Sequence, residues 1–229
     1  MILQDLWEDR MTLDELIQKV EAARLRRSEH LIVQIVAVTK YTKDIEVLKR
    51  LYDDGQRAFG ENRVQDMEEK VNSLKDYPIE WHFIGNLQKN KINKLLSLNP
   101  FLIQSINSYE LAEAINKRAK KPVRCLIEIN SAKEPTKHGM QPEIAVETYL
   151  KIKENLKNID LQGVMTIGAH SDNEAEIRKS FRLTYKIFEE LKPYGAKICS
   201  MGMSNDFEIA IEEGSNMIRV GSALLDSYM

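Results

Sequence analysis

Short apolar runs rich in β-branched residues alternate along the chain with longer stretches whose apolar positions recur every three or four residues. The runs are 32–39 (IVQIVAVT), 57–62 (RAFGEN), 81–85 (WHFIG), 101–106 (FLIQSI), 123–130 (VRCLIEIN), 161–168 (LQGVMTIG), 196–202 (AKICSMG) and 217–221 (MIRVG). Helical text separates them at 44–54, 64–74, 87–97, 108–119, 141–157, 173–191 and 205–213. A nearly continuous apolar run is the pattern of a strand buried on both faces. Strand–helix alternation predicts parallel strands joined by right-handed crossovers. Eight such strands, each but the last followed by a helix, predict an α/β fold of the TIM (β/α)8 barrel type. An open doubly wound sheet is the competitor, but no GxGxxG or Walker-type loop favours it. Ahead of the first strand, Thr12-x-x-Glu15 reads as a capping box followed by apolar Leu13, Leu16, Ile17 and Val20, so an extra N-terminal helix is expected.

No linker or shift of composition divides the 229 residues, which read as a single domain over 1–229. With 43% hydrophobic residues the chain can bury a full core, which excludes disorder as a description of the whole. A net charge of −2 gives no global attraction to nucleic acid or anionic lipid. The longest apolar run, Leu31 to Val38, is broken by Gln34 and is too short for a membrane span. The opening MILQDLWEDR lacks the basic start of a secretory leader. Cys125 and Cys199 stand far apart in strand-like text and read as two buried thiols, which fits a reducing, cytoplasmic location.

In such a barrel the chemistry gathers at the C-terminal ends of the strands. Lys40 closes the first strand. A lysine there is expected at the barrel mouth, partly desolvated, and a desolvated free amine attacks carbonyls to make a Schiff base. The plain reading is a surface lysine at a strand end. Gly202–Ser204 and Gly221–Ser222 follow the last two strands, where backbone N–H groups and hydroxyls commonly bind phosphate. Alternatively both serines merely cap helices, Ser204 standing ahead of one near Asn205. Arg219 lies inside an apolar strand, where a cation is costly unless paired. It could pair with Glu128 or Glu61, or donate to a ligand beside the phosphate. His82 and His138 have no metal-ligand spacing and read as core or rim histidines, so no metal site is expected. The basic stretches KNKINK (89–94) and KRAKK (117–121) read as solvated helix faces and ends.

Seven segments together carry a resemblance: VAVTKY (36–41), FGENRVQ (59–65), WHFIGNLQKNK (81–91), KHGM (137–140), GVMTIG (163–168), SMGMSNDFEIAI (200–211) and MIRVGSALL (217–225). In order and at natural spacing from Val33 to Leu225, they resemble the pyridoxal phosphate homeostasis protein family, single-domain relatives of the alanine racemase N-terminal barrel. The resemblance implies pyridoxal 5′-phosphate as cofactor, held on Lys40 as a Schiff base, with Ser204, Gly221 and Ser222 at its phosphate and Arg219 facing its pyridine nitrogen. Asn62, His82 and Met203 match positions around the ring. It further implies a monomeric cytoplasmic carrier or regulator, with apo-forms of pyridoxal phosphate enzymes as partners. The chain departs from the family at its close, Leu224-Leu225-Asp226-Ser227-Tyr228-Met229, which involves no proposed cofactor contact.

An arginine opposite the ring nitrogen does not give up its proton, so the nitrogen stays unprotonated and the cofactor is a poor electron sink. Full-length racemases, by resemblance, add a tyrosine base from a second domain, and this chain ends where that domain would begin. The leading expectation is therefore storage and delivery of the cofactor with no catalytic residue assigned. The alternative is a low-activity racemase or related enzyme, with His82, Tyr41 or Tyr109 as the second base. A third reading, an aldolase-like Schiff base to a phosphosugar, shares Lys40 and the phosphate loops but predicts a colourless protein.

Overall fold

A computed structural model describes residues 10–134 and 138–229. Its strands are β1 (Gln34–Val38), β2 (Ala58–Glu61), β3 (Glu80–Phe83), β4 (Leu102–Ile106), β5 (Val123–Glu128), β6 (Ile159–Met165), β7 (Ile198–Ser200) and β8 (Met217–Val220). Each pairs in parallel with the next, and β8 pairs with β1, so the sheet closes into an eight-stranded barrel. The outer helices are α2 (Ile45–Asp53), α3 (Val64–Ser73), α4 (Ile92–Ser97), α5 (Tyr109–Arg118), α6 (Pro142–Asn155), α7 (Glu174–Leu191) and α8 (Phe207–Glu212). Beyond β8 lies a further short helix, α9 (Ser222–Leu225), so the last strand is also followed by a helix, contrary to the pattern reading.

The N-terminal helix α1 (Leu13–Arg27) forms as its capping box predicts: the Thr12 N–H donates to Glu15 Oε2 at 2.8 Å, and the Glu15 N–H to Thr12 Oγ1 at 3.3 Å. Leu13, Leu16, Val20 and Ala23 are its buried face, whereas Ile17 is 42% exposed and outside the stripe. Arg26 fastens α1 to α8 through Glu208 and Glu212. The helix therefore covers the outside of the barrel beside the β7 and β8 loops.

The core has two parts. One large cluster lies between sheet and helices, and a second, formed by Val36, Ala58, Leu102, Leu126, Met165 and Met217, fills the inside of the barrel. Opposite β5, the register jumps from Cys125–Leu161 to Leu126–Gly163, so one residue of β6 bulges. Gly163 beyond the bulge has φ +148°, and a Cβ there would lie 1.9 Å from the Ile198 carbonyl oxygen of β7. Only glycine fits between those strands. Cys125 and Cys199 are both buried free thiols, and burial pushes their pKa values up. No helix among the described residues is long and apolar enough to cross a membrane.

Candidate functional site at the barrel mouth

Lys40 stands two residues past β1, with its Nζ 4.7 Å from the centroid of the Tyr41 ring. It is exposed rather than desolvated as its place in the sequence suggested. What is buried is its support. The preceding residue, Thr39, is fully enclosed, and its Oγ1 donates to Glu61 Oε1 at 2.7 Å. Lys70 of α3, only 4% exposed, donates to the Thr39 carbonyl at 2.7 Å and pairs with Glu61. Glu61 also accepts the Asn62 N–H at 3.2 Å. A buried, further hydrogen-bonded ion pair thus locks the end of β1 to the end of β2, behind Lys40. Pattern reading missed Lys70, although it sits on the buried stripe of α3 marked by Val64, Met67 and Leu74.

The loops after β7 and β8 meet at the mouth. Gly202 adopts φ +98°, and a Cβ on it would lie 2.6 Å from the Ala210 side chain. Asp206 reaches back to accept the Met203 N–H at 2.6 Å, which curls the 202–206 turn. Ser204 does not cap α8. Its Oγ instead accepts the Gly221 N–H at 3.3 Å, tying the two loops together. Gly221 has φ −117° and ψ −100°, and an added Cβ would lie 2.5 Å from the Tyr41 ring and 3.4 Å from Val38. Ser222 opens α9. Met203 is 37% exposed at the rim.

Beneath these loops a polar chain crosses the barrel. Arg219 NH1 donates to Ser200 Oγ at 2.7 Å, and its NH2 to the Thr166 carbonyl at 2.8 Å. Ser200 Oγ donates to Gln104 Oε1 at 2.6 Å, and Gln104 Nε2 lies 2.9 Å from His82 Nδ1. Because β4 and β7 are not neighbours, the Gln104–Ser200 bond must span the interior. The permanently protonated guanidinium makes Ser200 an acceptor and sends its proton to Gln104 Oε1. The Gln104 amide then points its N–H at His82 Nδ1, which puts the imidazole proton on Nε2. His82 is fully buried, and burial, helped by the nearby Arg124 charge, lowers its pKa to about 3. It is therefore a neutral core histidine, and its Nε2 has no partner.

Among the described residues Arg219 has no carboxylate within ion-pair distance, and Glu61, one partner weighed for it, is taken by Lys70. Burial lowers the Arg219 pKa to about 10, against the pull of Asp206 and Glu128, so it is protonated at neutral pH. Glu128, 4% exposed at the end of β5, has its pKa raised to about 7 by burial, with Arg219 pulling the other way. Asn62 follows β2, and its Oδ1 is buried without a partner. Its backbone is gripped by β3's loop: a Cβ on Gly85 would lie 2.0 Å from the Asn62 carbonyl oxygen. Tyr109 belongs to the outer helical ring, under Lys151 Nζ at 4.3 Å, and does not join the mouth. His138 is exposed in the loop after β5, and Lys137 of the same segment lies outside the described residues.

A closed (β/α)8 barrel with a lysine beyond β1, Gly/Ser loops on β7 and β8, and a buried arginine between them defines a class, the alanine racemase N-terminal domain, whose sequence profile matches residues 12–228. A pyridoxal phosphate homeostasis protein of Helicobacter pylori is 49% identical over 218 residues, 94% of this chain and 97% of its own length. The human protein of that name is 34% identical over 228 residues, 93% of this chain and 82% of its own. Among solved structures, PipY of Synechococcus elongatus with pyridoxal phosphate bound superposes with a TM-score of 0.77 at 29% identity, covering 91% of this chain and 98% of that one. The alanine racemase of Clostridium difficile, 22% identical with a TM-score of 0.72, shares the fold over 93% of this chain and 59% of its own. The chain belongs to the alanine racemase N-terminal domain family and, within it, to the pyridoxal phosphate homeostasis proteins.

Proposed function

We propose that the barrel mouth binds pyridoxal 5′-phosphate reversibly, and that the protein stores the cofactor and delivers it to apo-enzymes inside the cell, as a cytoplasmic monomer. The observation that carries this reading is Arg219. A buried cation held by a hydroxyl and a carbonyl, with no ion-pair partner among the described residues, is costly unless something else uses its position. The mouth fits the cofactor in three further respects. Gly221, with no room for a Cβ beside the Tyr41 ring, lets the two loops close on each other, and Ser204, Gly221 and Ser222 present hydroxyls and backbone N–H groups for a phosphate. Asn62 adds a buried acceptor without a partner. Lys40 supplies an exposed primary amine on a rigid base. The names of the relatives, and the bound PipY structure, support the same ligand.

When bound, pyridoxal phosphate would supply an aldehyde, and Lys40 is the amine that would hold it as a Schiff base. Lys70 and Glu61 hold that anchor in place. Arg219, protonated at neutral pH, donates hydrogen bonds and does not lend a proton to a ring nitrogen, which disfavours carbanion chemistry. Lys40 is exposed, so a cofactor held there would be open to solvent, which would suit release to a partner. The test is cofactor transfer. Loaded, desalted protein should reactivate an apo pyridoxal phosphate enzyme, while the same sample should exchange the α-proton of amino acids with solvent deuterium no faster than free cofactor does. Rapid exchange would make the weak-enzyme reading correct instead.

A further inference from the structure

At the opposite, N-terminal end of the barrel lies a cavity of about 930 Å3 between the end of α4, the start of β4 and the segment joining α5 to β5. Its lining carries four cations, Arg118, Lys120, Lys121 and Arg124, and no carboxylate. None of the four is ion-paired among the described residues. Asp160, the register partner of Arg124 on β6, does not line the cavity. Neutralising the helix dipole explains only part of this. Arg118 is in the last turn of α5, and its NH1 donates to the Ala114 carbonyl at 2.8 Å, an ordinary C-terminal cap. Lys120 and Lys121 lie beyond the helix, and Arg124 is in a strand. Three like charges lining one cavity repel, in a chain whose net charge is −2 and which had carboxylates to spare.

The cavity also has a floor and an apolar wall. The Phe101 ring, packed against the cluster inside the barrel, lies 4.3 Å from the Arg124 guanidinium and stacks on the His82 ring at 5.5 Å, and so closes the barrel from below. Leu96, Pro100 and Pro122 add apolar lining. The volume suits a small organic ligand rather than a bare ion. The Phe101 ring is already engaged by Arg124 and His82, and the cavity lining has no other aromatic residue among the described residues, so a run of stacking platforms for a nucleic-acid strand is not offered.

We infer that the N-terminal face of the barrel is a second ligand site, distinct from the mouth, for a small organic di- or triphosphate whose charged end meets Lys120, Lys121 and Arg124. The inference does not depend on the cofactor reading, because the two sites lie at opposite ends of the barrel.

The probes are inorganic pyrophosphate and ADP, titrated without divalent metal into the full chain while backbone amide NMR signals are followed. Both should shift the amides of residues 96–101 and 118–124 saturably, with ADP the tighter binder because it also covers the apolar wall. The double substitution Lys120→Glu/Lys121→Glu, at exposed positions, should weaken both by at least about tenfold. Lys43→Glu, an exposed change at the other end, should leave them unchanged. Shifts confined to residues 202–204 and 221–222, no saturable shift at all, or unaltered binding in the double variant would overturn the site. Pyrophosphate binding as tightly as ADP would overturn the organic part of the ligand.

Discussion

Lys70→Met removes the cation from a pair whose carboxylate, Glu61, is fully buried. In the variant Glu61 keeps only Thr39 Oγ1 at 2.7 Å and the Asn62 N–H at 3.2 Å, and the Thr39 carbonyl loses its donor. Breaking a buried pair from one side costs about 3–5 kcal/mol, because the remaining charge stays desolvated. A barrel of this length unfolds with an entropy of roughly 0.5 kcal/mol/K, so Tm should fall by about 6–10 °C. Replacing both partners, as in Lys70→Met/Glu61→Leu, leaves no unpaired charge and should recover most of that loss. Thermal unfolding of the parent, both single variants and the double variant completes the cycle. A Lys70→Met protein melting within about 2 °C of the parent, or a double variant no better than the single, would refute a buried pair behind Lys40.

The remaining predictions concern pH, packing and the loops. His82 has its pKa depressed from 6.5 to about 3, so the unfolded chain binds more protons between those values and stability falls as pH drops below about 6.5. Glu128 is raised from 4.5 to about 7, so the folded chain holds the extra proton and stability falls as pH rises through that window. The two oppose each other in the parent between pH 4.5 and 6.5. Denaturant unfolding of Glu128→Gln should therefore show stability rising there by up to roughly 1.4 kcal/mol per pH unit more steeply than in the parent, and an unchanged slope would count against the burial of Glu128. Gly163→Ala should yield little folded protein by circular dichroism, since its Cβ meets the Ile198 carbonyl at 1.9 Å and neither strand can yield. Ser204→Ala should change Tm by under 2 °C but weaken pyridoxal phosphate binding by at least about tenfold in a spectral titration, the value of one hydrogen bond to a charged acceptor.

The barrel was legible because strands buried on both faces leave long apolar runs, and IVQIVAVT or VRCLIEIN cannot be mistaken for amphipathic text. Ends were less so. β6 starts at Ile159, ahead of the run's first expected residue, because Asp160 interrupts the apolar pattern, and α9 is too short to show periodicity. The mouth lysine and the Gly/Ser loops could be named from their places after strands. The polar chain from Arg219 to His82 could not, since Ser200 and Gln104 come into contact only through closure of the barrel across non-neighbouring strands. Lys70 hid in a charged helix, where it differs from Asp66, Glu68 and Glu69 in exposure only through its phase. Ser204 read as a helix cap because α8 follows it closely, but Asp206 takes over the turn and frees the hydroxyl for Gly221.

The visible absorption spectrum of the purified protein with added pyridoxal phosphate, beside that of Lys40→Ala, tests the anchor most directly. A yellow band in the parent that is absent in the variant, with both proteins melting alike, is the expected result. A parent that stays colourless, or a band that persists unchanged without Lys40, would contradict the assignment of the mouth to this cofactor and of Lys40 as its anchor.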